Sequence, residues 1–441
     1  MLLATRLARL KDLNQQSPAL LWSFIYFFCL LSGYYVLRPV REAMSASNDV
    51  EAIFPVSMIE FFAHRGVALA DFTLQAIFTL VFILMLLLQP AYGWLVSRFP
   101  RRVFLPVIYG FFIGTLLVFY FIFDSGVPGR GMAFILWITV FNLFAVAVFW
   151  SFMADVFSTS DARKYYGYIG AAGTIGAFLG PLLTKVLVQQ VGIANMMLVS
   201  AFLFSICVVS IMQLRVWAVA RERDSNLVSG EIPMGGEILA GLKLVMREPL
   251  LRWLAIMVFF GVGIGTLLYN EQIAIARSHF SSPEARANFF ATIDLAVNSL
   301  TLLIQLLFTR SVLSRFGIAP ALLIPGIAII IGFSILSASP LPLMVAIVQV
   351  VTRSGEFSLA KPARETIYTR VGREWRYKAG TAIDTVFYRG GDLTFVWVHK
   401  ALSAFGSNMV FGAGVLVAGL MTISALQVIK IEKKLLNRSS E

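Results

Sequence analysis

The chain has 441 residues, of which 58% are hydrophobic and only 14% are charged, and its mean hydropathy is +0.80. An ordinary soluble domain carries about 25% charged residues, so this composition excludes a soluble globular protein and indicates an integral membrane protein. The formal net charge is +12, but the basic residues lie mostly between apolar runs, which argues against a nucleic-acid partner. Both cysteines lie inside apolar runs, which excludes a disulfide framework or a cysteine metal site.

A membrane-spanning helix needs about 20 mostly apolar residues, and twelve stretches of the sequence meet this criterion. They cover residues 18–44, 68–96, 103–123, 131–156, 165–190, 193–217, 250–277, 287–311, 318–338, 341–366, 380–401 and 406–430. The first is too long for a signal-peptide core of about 7 to 15 residues and lacks a small-residue cleavage site, so we expect it to be retained. The sequence predicts an all-α integral membrane protein with twelve transmembrane helices.

The distribution of lysine and arginine predicts the orientation, because these residues are enriched in cytoplasmic loops. With the basic N-terminus inside, the same side also takes the basic segments at residues 98–102, 163–164, 215–252, 310–315, 361–378 and 430–438. We therefore expect a multi-pass protein of the cell (inner) membrane with both termini in the cytoplasm. In this topology His64, His279 and His399 lie in outside loops.

An internal repeat divides the chain into two halves. The stretch WLVSRFPRRVF at residues 94–104, after the second predicted helix, is echoed by SVLSRFGIAPA at 311–321, after the eighth. The polar stretch at 218–249 is predicted to be a cytoplasmic linker that can carry a surface helix. The expected organisation is an N-terminal six-helix half at 1–217, this linker, and a C-terminal six-helix half at 250–441.

Charged residues stand at the end of the first predicted helix, in GYYVLRPVREAM at residues 33–44. Tyr34, Arg38 and Arg41 recur at helical spacing, so one helix face offers an aromatic ring and two guanidiniums toward the bundle interior. Arginine is suited to two-point binding of phosphate or carboxylate. Glu42, four residues after Arg38, can hold that arginine when no substrate is bound. This face predicts an anionic substrate with a planar ring.

Further charges lie in the later predicted helices. A charge at the bilayer centre costs at least about 2.5 to 3.5 kcal/mol on insertion scales, so such residues are functional candidates. The spacing of Arg353 with Glu356 and of Arg389 with Asp392 suits ion pairs, so a structural role is an equal alternative for both pairs. In the other helices the candidates are Asp155, Glu271, Asp294, Lys378 and Asp384.

The two six-helix halves, with a basic turn between the second and third helix of each and a long central loop, resemble the major facilitator superfamily. The turn usual there reads Gly-x-x-x-Asp-Arg/Lys-x-Gly-Arg-Arg, and the matching residues here are Gly93, Arg98, Arg101 and Arg102. Ser97 and Pro100 replace the acidic residue and the second glycine. The resemblance implies two pseudo-symmetric halves, a substrate path near the midplane and alternating access.

Short segments along nearly the whole chain are similar to the ATP/ADP translocases of plastids and obligate intracellular bacteria. They are LRPVRE (37–42), WSFMADVFSTSDARKYYGYIG (150–170), YNEQ (269–272), KPARETIY (361–368) and YKAGTAID (377–384). The resemblance implies nucleotide binding and exchange, for which the matching positions are Arg38, Arg41, Asp155, Glu271, Glu365, Lys378 and Asp384. Lys361 and Gly380 depart from the family pattern, so the resemblance does not fix ATP itself as the substrate.

A glycine-rich stretch, GYIGAAGTIGAFLGP at 167–181, has the spacing Gly-x-x-Gly-x-x-Gly. It lies within an apolar helix with no preceding strand, which argues against a dinucleotide-binding turn. Ala172, Gly176 and Gly180 instead predict close packing of this helix against a neighbour.

Three function classes remain open: an exchanger of nucleotides or a related organic anion, a facilitator-type carrier or exporter of another solute, with proton coupling through Asp294 or Glu271 as one option, and a non-transporting membrane enzyme or accessory protein. An enzyme is not expected, since no nucleophile with its base and no clustered metal ligands are present. We expect no cofactor or metal, a small anionic substrate and the lipid bilayer as partners, and a monomer.

The residues assigned to substrate binding are Tyr34, Arg38, Arg41, Asp155, Glu271 and Lys378. Those assigned to gating or coupling are Glu42, Asp294, Arg353, Glu356, Glu365, Asp384 and Arg389. Uncompensated positive charge on Arg38, Arg41 and Lys378 in an empty site would hinder unloaded reorientation and favour strict exchange.

Overall fold

The computed structural model describes residues 18–98, 101–123, 125–157, 159–224, 238–369 and 379–439. Regular secondary structure in these ranges is entirely helical. Hydrocarbon offers no water to backbone amides and carbonyls, so a spanning segment must satisfy them internally, as a helix does. Ten helices in these ranges are long and apolar enough to cross a membrane, and Arg130–Asn142 forms a shorter apolar helical stretch. The prediction of an all-α membrane protein is confirmed.

The described residues of the first half of the chain form eight α-helices. They are α1 (Ala19–Ser45), α2 (Val50–Ile53), α3 (Val56–Ala63), α4 (Thr73–Arg98), α5 (Arg101–Phe123), α6 (Arg130–Val156), α7 (Thr159–Val191) and α8 (Asn195–Asp224). A 3-10 helix at Leu69–Phe72 precedes α4. The first six predicted spans correspond to α1 and α4 to α8.

The second half is also helical, and three of its predicted spans change their winding along their length. Its α-helices are α9 (Ile238–Arg247), α10 (Pro249–His279), α11 (Pro283–Ile304), α12 (Arg310–Phe316), α13 (Ile318–Ala338), α14 (Pro342–Gly355), α15 (Lys361–Thr369), α16 (Gly380–Ala382), α17 (Tyr388–Ser403) and α18 (Ser407–Ser439). Three π-helical segments join α11 to α12 at Gln305–Thr309, α14 to α15 at Glu356–Ala360, and α16 to α17 at Ile383–Phe387. The predicted linker carries α9, whose Val245 is buried in a core that includes Leu250 and Leu254 of α10.

The chain forms two compact units. Unit 1 comprises Met1–Arg65, Leu87–Pro233 and Phe280–Leu295, and unit 2 comprises Gly66–Leu86, Met234–His279 and Ala296–Glu441. Unit 2 therefore includes the beginning of α4, and unit 1 includes the beginning of α11. The division into two linear halves stays a prediction.

Close helix contacts through small residues hold α1 in unit 1. An added Cβ at Gly176 of α7 would lie 2.5 Å from the backbone oxygen of Phe28, and one at Gly180 would lie 2.7 Å from that of Ser32. A larger residue at either position would push α1 away. The buried hydroxyl of Thr184 also donates to a carbonyl of α1 over 3.0 Å. The predicted small-residue packing of this stretch is confirmed.

Unit 2 is built around α10, which contacts α17 and α18. The ring of Phe395 on α17 lies directly over Gly263, where an added Cβ would be 2.5 Å from the ring. At the next residue of α17, the backbone oxygen of Val396 accepts a hydrogen bond of 3.1 Å from the buried amide of Gln75 at the start of α4. These contacts fix the middle of α17 against α10 and α4.

Candidate functional site

Unit 1 contains a network of four charged side chains, here called the arginine cluster: Arg38, Arg41 and Glu42 on α1 and Asp294 on α11. The Nε of Arg38 lies 3.7 Å from Oε1 of Glu42, and its Nη1 lies 3.4 Å from Oδ1 of Asp294. Arg41 contacts the same oxygen of Glu42 through Nη2. The predicted contact between Arg38 and Glu42 is confirmed.

The arginine cluster is balanced in charge. Guanidinium groups stay protonated in proteins, so two ionised carboxylates beside two arginines give a formal charge of zero. The expectation of uncompensated positive charge is therefore wrong for Arg38 and Arg41, because Glu42 and Asp294 supply the opposite charge from within the protein. The third residue of that expectation, Lys378, lies outside the described residues.

Glu42 contacts the two arginines through only one of its two carboxylate oxygens. Both arginines approach its Oε1, whereas Oε2 is buried and makes no hydrogen bond among the described residues. Neither arginine therefore forms with Glu42 the parallel pair of bonds that a guanidinium can offer to carboxylate or phosphate. An incoming anion could make a better-aligned contact than the internal one.

Aromatic and polar groups of α1 flank the arginine cluster. The guanidinium carbon of Arg38 lies 5.8 Å from the centroid of the Tyr35 ring, and Tyr35 packs edge-to-face on Tyr34 with centroids 5.3 Å apart. Ser45 donates to the backbone oxygen of Arg41 over 3.1 Å. The predicted face of α1 thus presents rings beside the guanidiniums.

The position of Asp294 depends on the start of α11. The amide of Asn288, six residues earlier, donates to the backbone oxygen of Lys185 on α7 over 2.9 Å. Helix α7 in turn packs on α1 through its glycines. The carboxylate of Asp294 is thereby brought to Arg38 from a helix distant in sequence.

Unit 2 contains a second buried polar group, here called the Glu271 cluster: Glu271 on α10, His399 on α17 and Ser407 on α18. Oε1 of Glu271 lies 2.8 Å from Nε2 of His399, and Oε2 accepts a hydrogen bond of 2.7 Å from the hydroxyl of Ser407. Glu271 and His399 are 6% and 9% exposed. The prediction that His399 lies in an outside loop is wrong, because α17 continues to Ser403 and its last turn packs on α10.

A second polar contact joins α10 to α17. The hydroxyl of Thr266 donates to Oδ1 of Asp392 over 2.9 Å, and Nη1 of Arg389 lies 3.2 Å from Oδ2 of the same carboxylate. The predicted ion pair between Arg389 and Asp392 is confirmed. Thr266 and Glu271 are five residues apart, or about 7.5 Å along the helix axis.

The remaining predicted site residues lie in other surroundings. Asp384 is 56% exposed in its side chain, and its Oδ1 lies 3.6 Å from Nη2 of the buried Arg364. The guanidinium of Arg353 lies over the Phe357 ring at 5.8 Å. Glu356 and Glu365 have exposed side chains, and Asp155 is partly buried in α6. No site role of these residues is tested by their placement.

Sequence reasoning missed three residues: His399, Ser407 and Arg364. His399 carried a usable signal, because it falls within a predicted span, where an ionisable residue is a functional candidate by default. Ser407 carried none, since a serine at a helix start is common and its partner lies on another helix.

The family model described as Major Facilitator Superfamily matches residues 24–391. The chain belongs to this superfamily. It is accordingly a multi-pass membrane protein and a secondary transporter of the superfamily type. Its membrane and the side of its termini stay predictions. No curated protein matches the chain by sequence.

Solved structures with this superfamily fold cover the chain almost completely. The nucleoside transporter NupG aligns over 93% of this chain and 97% of its own, with a TM-score of 0.60 and 15% identity. The human organic anion transporter MFSD10 (TETRAN) aligns over 93% and 98%, with a TM-score of 0.61 and 15% identity. An auto-inhibited POT family peptide transporter aligns over 95% and 97%, with a TM-score of 0.59 and 14% identity. At these identities the likeness shows the fold alone.

Proposed function

We propose that this superfamily member transports a small organic anion of the nucleotide class, and that Arg38 and Arg41 bind the anion. The observation that carries the proposal is the arginine cluster, in which two guanidiniums are held on one face of α1 by a carboxylate that engages them through one oxygen. Arginine is the side chain whose planar fork matches phosphate and carboxylate.

Glu42 and Asp294 act in this proposal as internal substitutes for the substrate. When the site is empty, their carboxylates neutralise the arginines, which would otherwise be costly to bury. An entering anion replaces Glu42 on Arg41 and forms the two-point contact that Glu42 does not make. Binding is then a competition between two anions for one pair of guanidiniums.

The nucleotide class is proposed on two grounds. The rings of Tyr34 and Tyr35 stand beside the guanidiniums, so a planar base and a phosphate can be met by neighbouring groups of one helix. The segments around Arg38, Glu271 and Lys378 are also similar to those of the ATP/ADP translocases. Exchange of one nucleotide for another is the mode that this resemblance implies.

A ligand screen on purified protein tests the substrate class. A specific ligand raises the unfolding free energy by about 2.7 kcal/mol at one hundred times its Kd, so ATP, ADP, a sugar phosphate, a dicarboxylate and an organic cation can be ranked by the melting temperature they produce. We expect the nucleotides to rank first. A ranking led by the cation would contradict the proposal.

Variants of Arg41 test the binding residue. Arg41→Ala should remove the stabilisation by nucleotide, and Arg41→Lys should restore only part of it, because a lysine cannot make the two-point contact. Arg65→Ala is the matched control, since Arg65 is an exposed arginine that stacks on Phe61. Unchanged nucleotide binding in both Arg41 variants would remove α1 from the site.

A proton-coupled carrier of another solute is the second candidate, favoured by the two buried carboxylates at Asp294 and Glu271. Uptake assays in proteoliposomes distinguish nucleotide exchange from proton-coupled transport. Fast uptake of labelled ATP only into vesicles preloaded with ADP supports exchange. Equally fast solute uptake into empty vesicles, driven by a pH gradient and untouched by nucleotide, supports the proton-coupled carrier.

A further inference from the structure

The Glu271 cluster joins three helices of unit 2 through one carboxylate. Both oxygens of Glu271 are engaged, one by the imidazole of His399 at 2.8 Å and one by the hydroxyl of Ser407 at 2.7 Å. The side chains of His399 and Glu271 are 11% and 8% exposed. The carboxylate is therefore held on both sides in a largely buried position.

A buried carboxylate needs a compensating charge or a proton, because an isolated ionised group is costly away from water. The hydroxyl of Ser407 is neutral and can only donate a hydrogen bond. The imidazole of His399 is the group in contact with Glu271 that can carry a positive charge.

The other charged groups near these helices have different placements. On α17, Arg389 and Asp392 pair with each other, and the Nζ of Lys400 lies 4.8 Å from the centroid of the Phe72 ring. Arg353 of α14 lies over Phe357, and Asp71, beside Phe72, is exposed. The other charged residues with described side chains on α9, on α10 itself, in the π segment before α17 and on α18 are Lys243, Arg247, Arg252, Arg277, His279, Asp384, Lys430, Glu432, Lys433 and Lys434. Arg277 and His279 lie six and eight residues after Glu271, and the α18 residues lie more than twenty residues after Ser407, about 30 Å along a helix.

We propose that Glu271 and His399 form a proton-binding site. The pair is neutral with one proton, which lies either on the imidazole, giving an ion pair, or on the carboxyl group, giving a neutral hydrogen bond. Loss of that proton to water leaves a carboxylate beside a neutral imidazole and a net charge of −1. Imidazole is the side chain that ordinarily gains or loses a proton closest to neutral pH, which suits it to a site of this kind.

The consequence for transport rests on the proposed function. Protonation decides whether Glu271 and His399 attract each other as ions, and these residues tie α10 to α17. A proton bound or released here would therefore change the contact between two helices of unit 2 as the carrier works. Ser407 acts as a positioning residue, because it holds the second oxygen of the carboxylate in both states.

The small number of histidines allows a direct test. The chain has three, so the double variant His64→Gln, His279→Gln leaves His399 as the single imidazole, and nitrogen-15 NMR of labelled histidine in detergent micelles then reports its protonation alone. We expect its signals to pass through one transition between pH 5 and 9, and Glu271→Gln in the same background to move that transition to another pH.

Two results would overturn the proton site: no transition of His399 between pH 5 and 9, or a transition at the same pH with and without Glu271. A separate measurement follows acceleration of labelled ATP uptake by a pH gradient in proteoliposomes preloaded with ADP, which His399→Gln should abolish. Equal acceleration in wild type and His399→Gln would overturn the coupling. If ATP is not carried at all, the proposed function fails, and the NMR result still decides the proton site.

Discussion

Unit 1 holds two partly buried guanidiniums against two buried carboxylates, whereas unit 2 buries one carboxylate against an imidazole and a hydroxyl. In both units the polar side chains come from helices that are distant in sequence. The chemical difference lies in which protons can leave. A guanidinium keeps its proton in proteins, while an imidazole changes its charge near neutral pH.

This difference predicts different responses to the same perturbation. The two guanidiniums of the arginine cluster can exchange one anionic partner for another without losing their charge, so the cluster is suited to bind and release an anion. The Glu271 cluster can change its state by losing a proton while every partner stays in place. We therefore expect a change of pH to act on unit 2 through its imidazole, and a change of substrate concentration to act on unit 1 through its guanidiniums.

Arg38→Ala should give the largest effect. It leaves Asp294 and Glu42 without the guanidinium that both contact, and breaking a buried ion pair from one side costs about 3 to 5 kcal/mol. Denaturant unfolding in detergent micelles measures the loss. Arg65→Ala, at an exposed arginine, should change the unfolding free energy by less than about 0.5 kcal/mol. Equal effects of the two substitutions would show that the arginine cluster does not stabilise unit 1.

Gly176→Ala should give the second-largest loss of stability, because its added Cβ would push away α1, the helix that carries the two arginines. Its Cβ would lie 2.5 Å from a backbone oxygen of α1, and overpacking of this kind costs about 1 to 3 kcal/mol. Gly170→Ala on the same helix is the control, since no described atom beyond its own stretch of helix lies within 4 Å of its added Cβ. It should leave stability unchanged or raise it. Gly263→Ala makes the corresponding test in unit 2, where the Cβ meets the Phe395 ring.

Glu42→Gln removes the carboxylate that contacts both arginines in unit 1, and it should therefore change substrate binding. Since the carboxylate competes with substrate for Arg41, nucleotide affinity should rise about tenfold, equivalent to about 1.4 kcal/mol. Titration calorimetry on folded variant protein measures it. The empty carrier would then hold excess positive charge, so uptake should depend more strictly on preloaded anion. An unchanged or weaker affinity would show that Glu42 does not compete with substrate.

Ser407→Ala should give the smallest effect. It removes one neutral hydrogen bond to Glu271, and such a loss costs about 0.5 to 1.5 kcal/mol. Thermal unfolding compares it with Ser403→Ala, an exposed serine whose hydroxyl bonds only a nearby backbone oxygen of its own helix. A loss no larger than that of the control would mean that Ser407 does not hold the carboxylate in place.

The spanning helices could be predicted from the sequence because lipid imposes a long apolar run on each of them. The positions of the π-helical segments within these helices could not be predicted. The π segments at Gln305–Thr309 and Glu356–Ala360 are one turn long, which is too short to alter an apolar pattern. They are stabilised by contacts between helices, since Gln305 and Thr309 donate to the backbone oxygens of Phe357 and Ser358.

The contacts of the candidate sites also include some that the sequence could predict and some that it could not. The contacts of Arg38 with Glu42 and of Arg389 with Asp392 follow from helical spacing, and both could be predicted. The contacts of Asp294 with Arg38 and of His399 with Glu271 join different helices, and no local pattern in the sequence contains them. The charge balance of the arginine cluster depends on such a contact, so sequence reasoning overestimated the positive charge of the cluster.

The π segments also bear on how this chain should be aligned with its relatives. A π turn holds one residue more than an α-helix would place there, and the surplus is absorbed locally. In an uninterrupted α-helix, one inserted residue would rotate everything after it by about 100°. Each π segment can thus accommodate one additional residue without turning the rest of its helix. Against a relative with a regular α-helix in this place, a single gap belongs inside Glu356–Ala360 rather than in a neighbouring loop. Otherwise Arg364 would be matched to the wrong position.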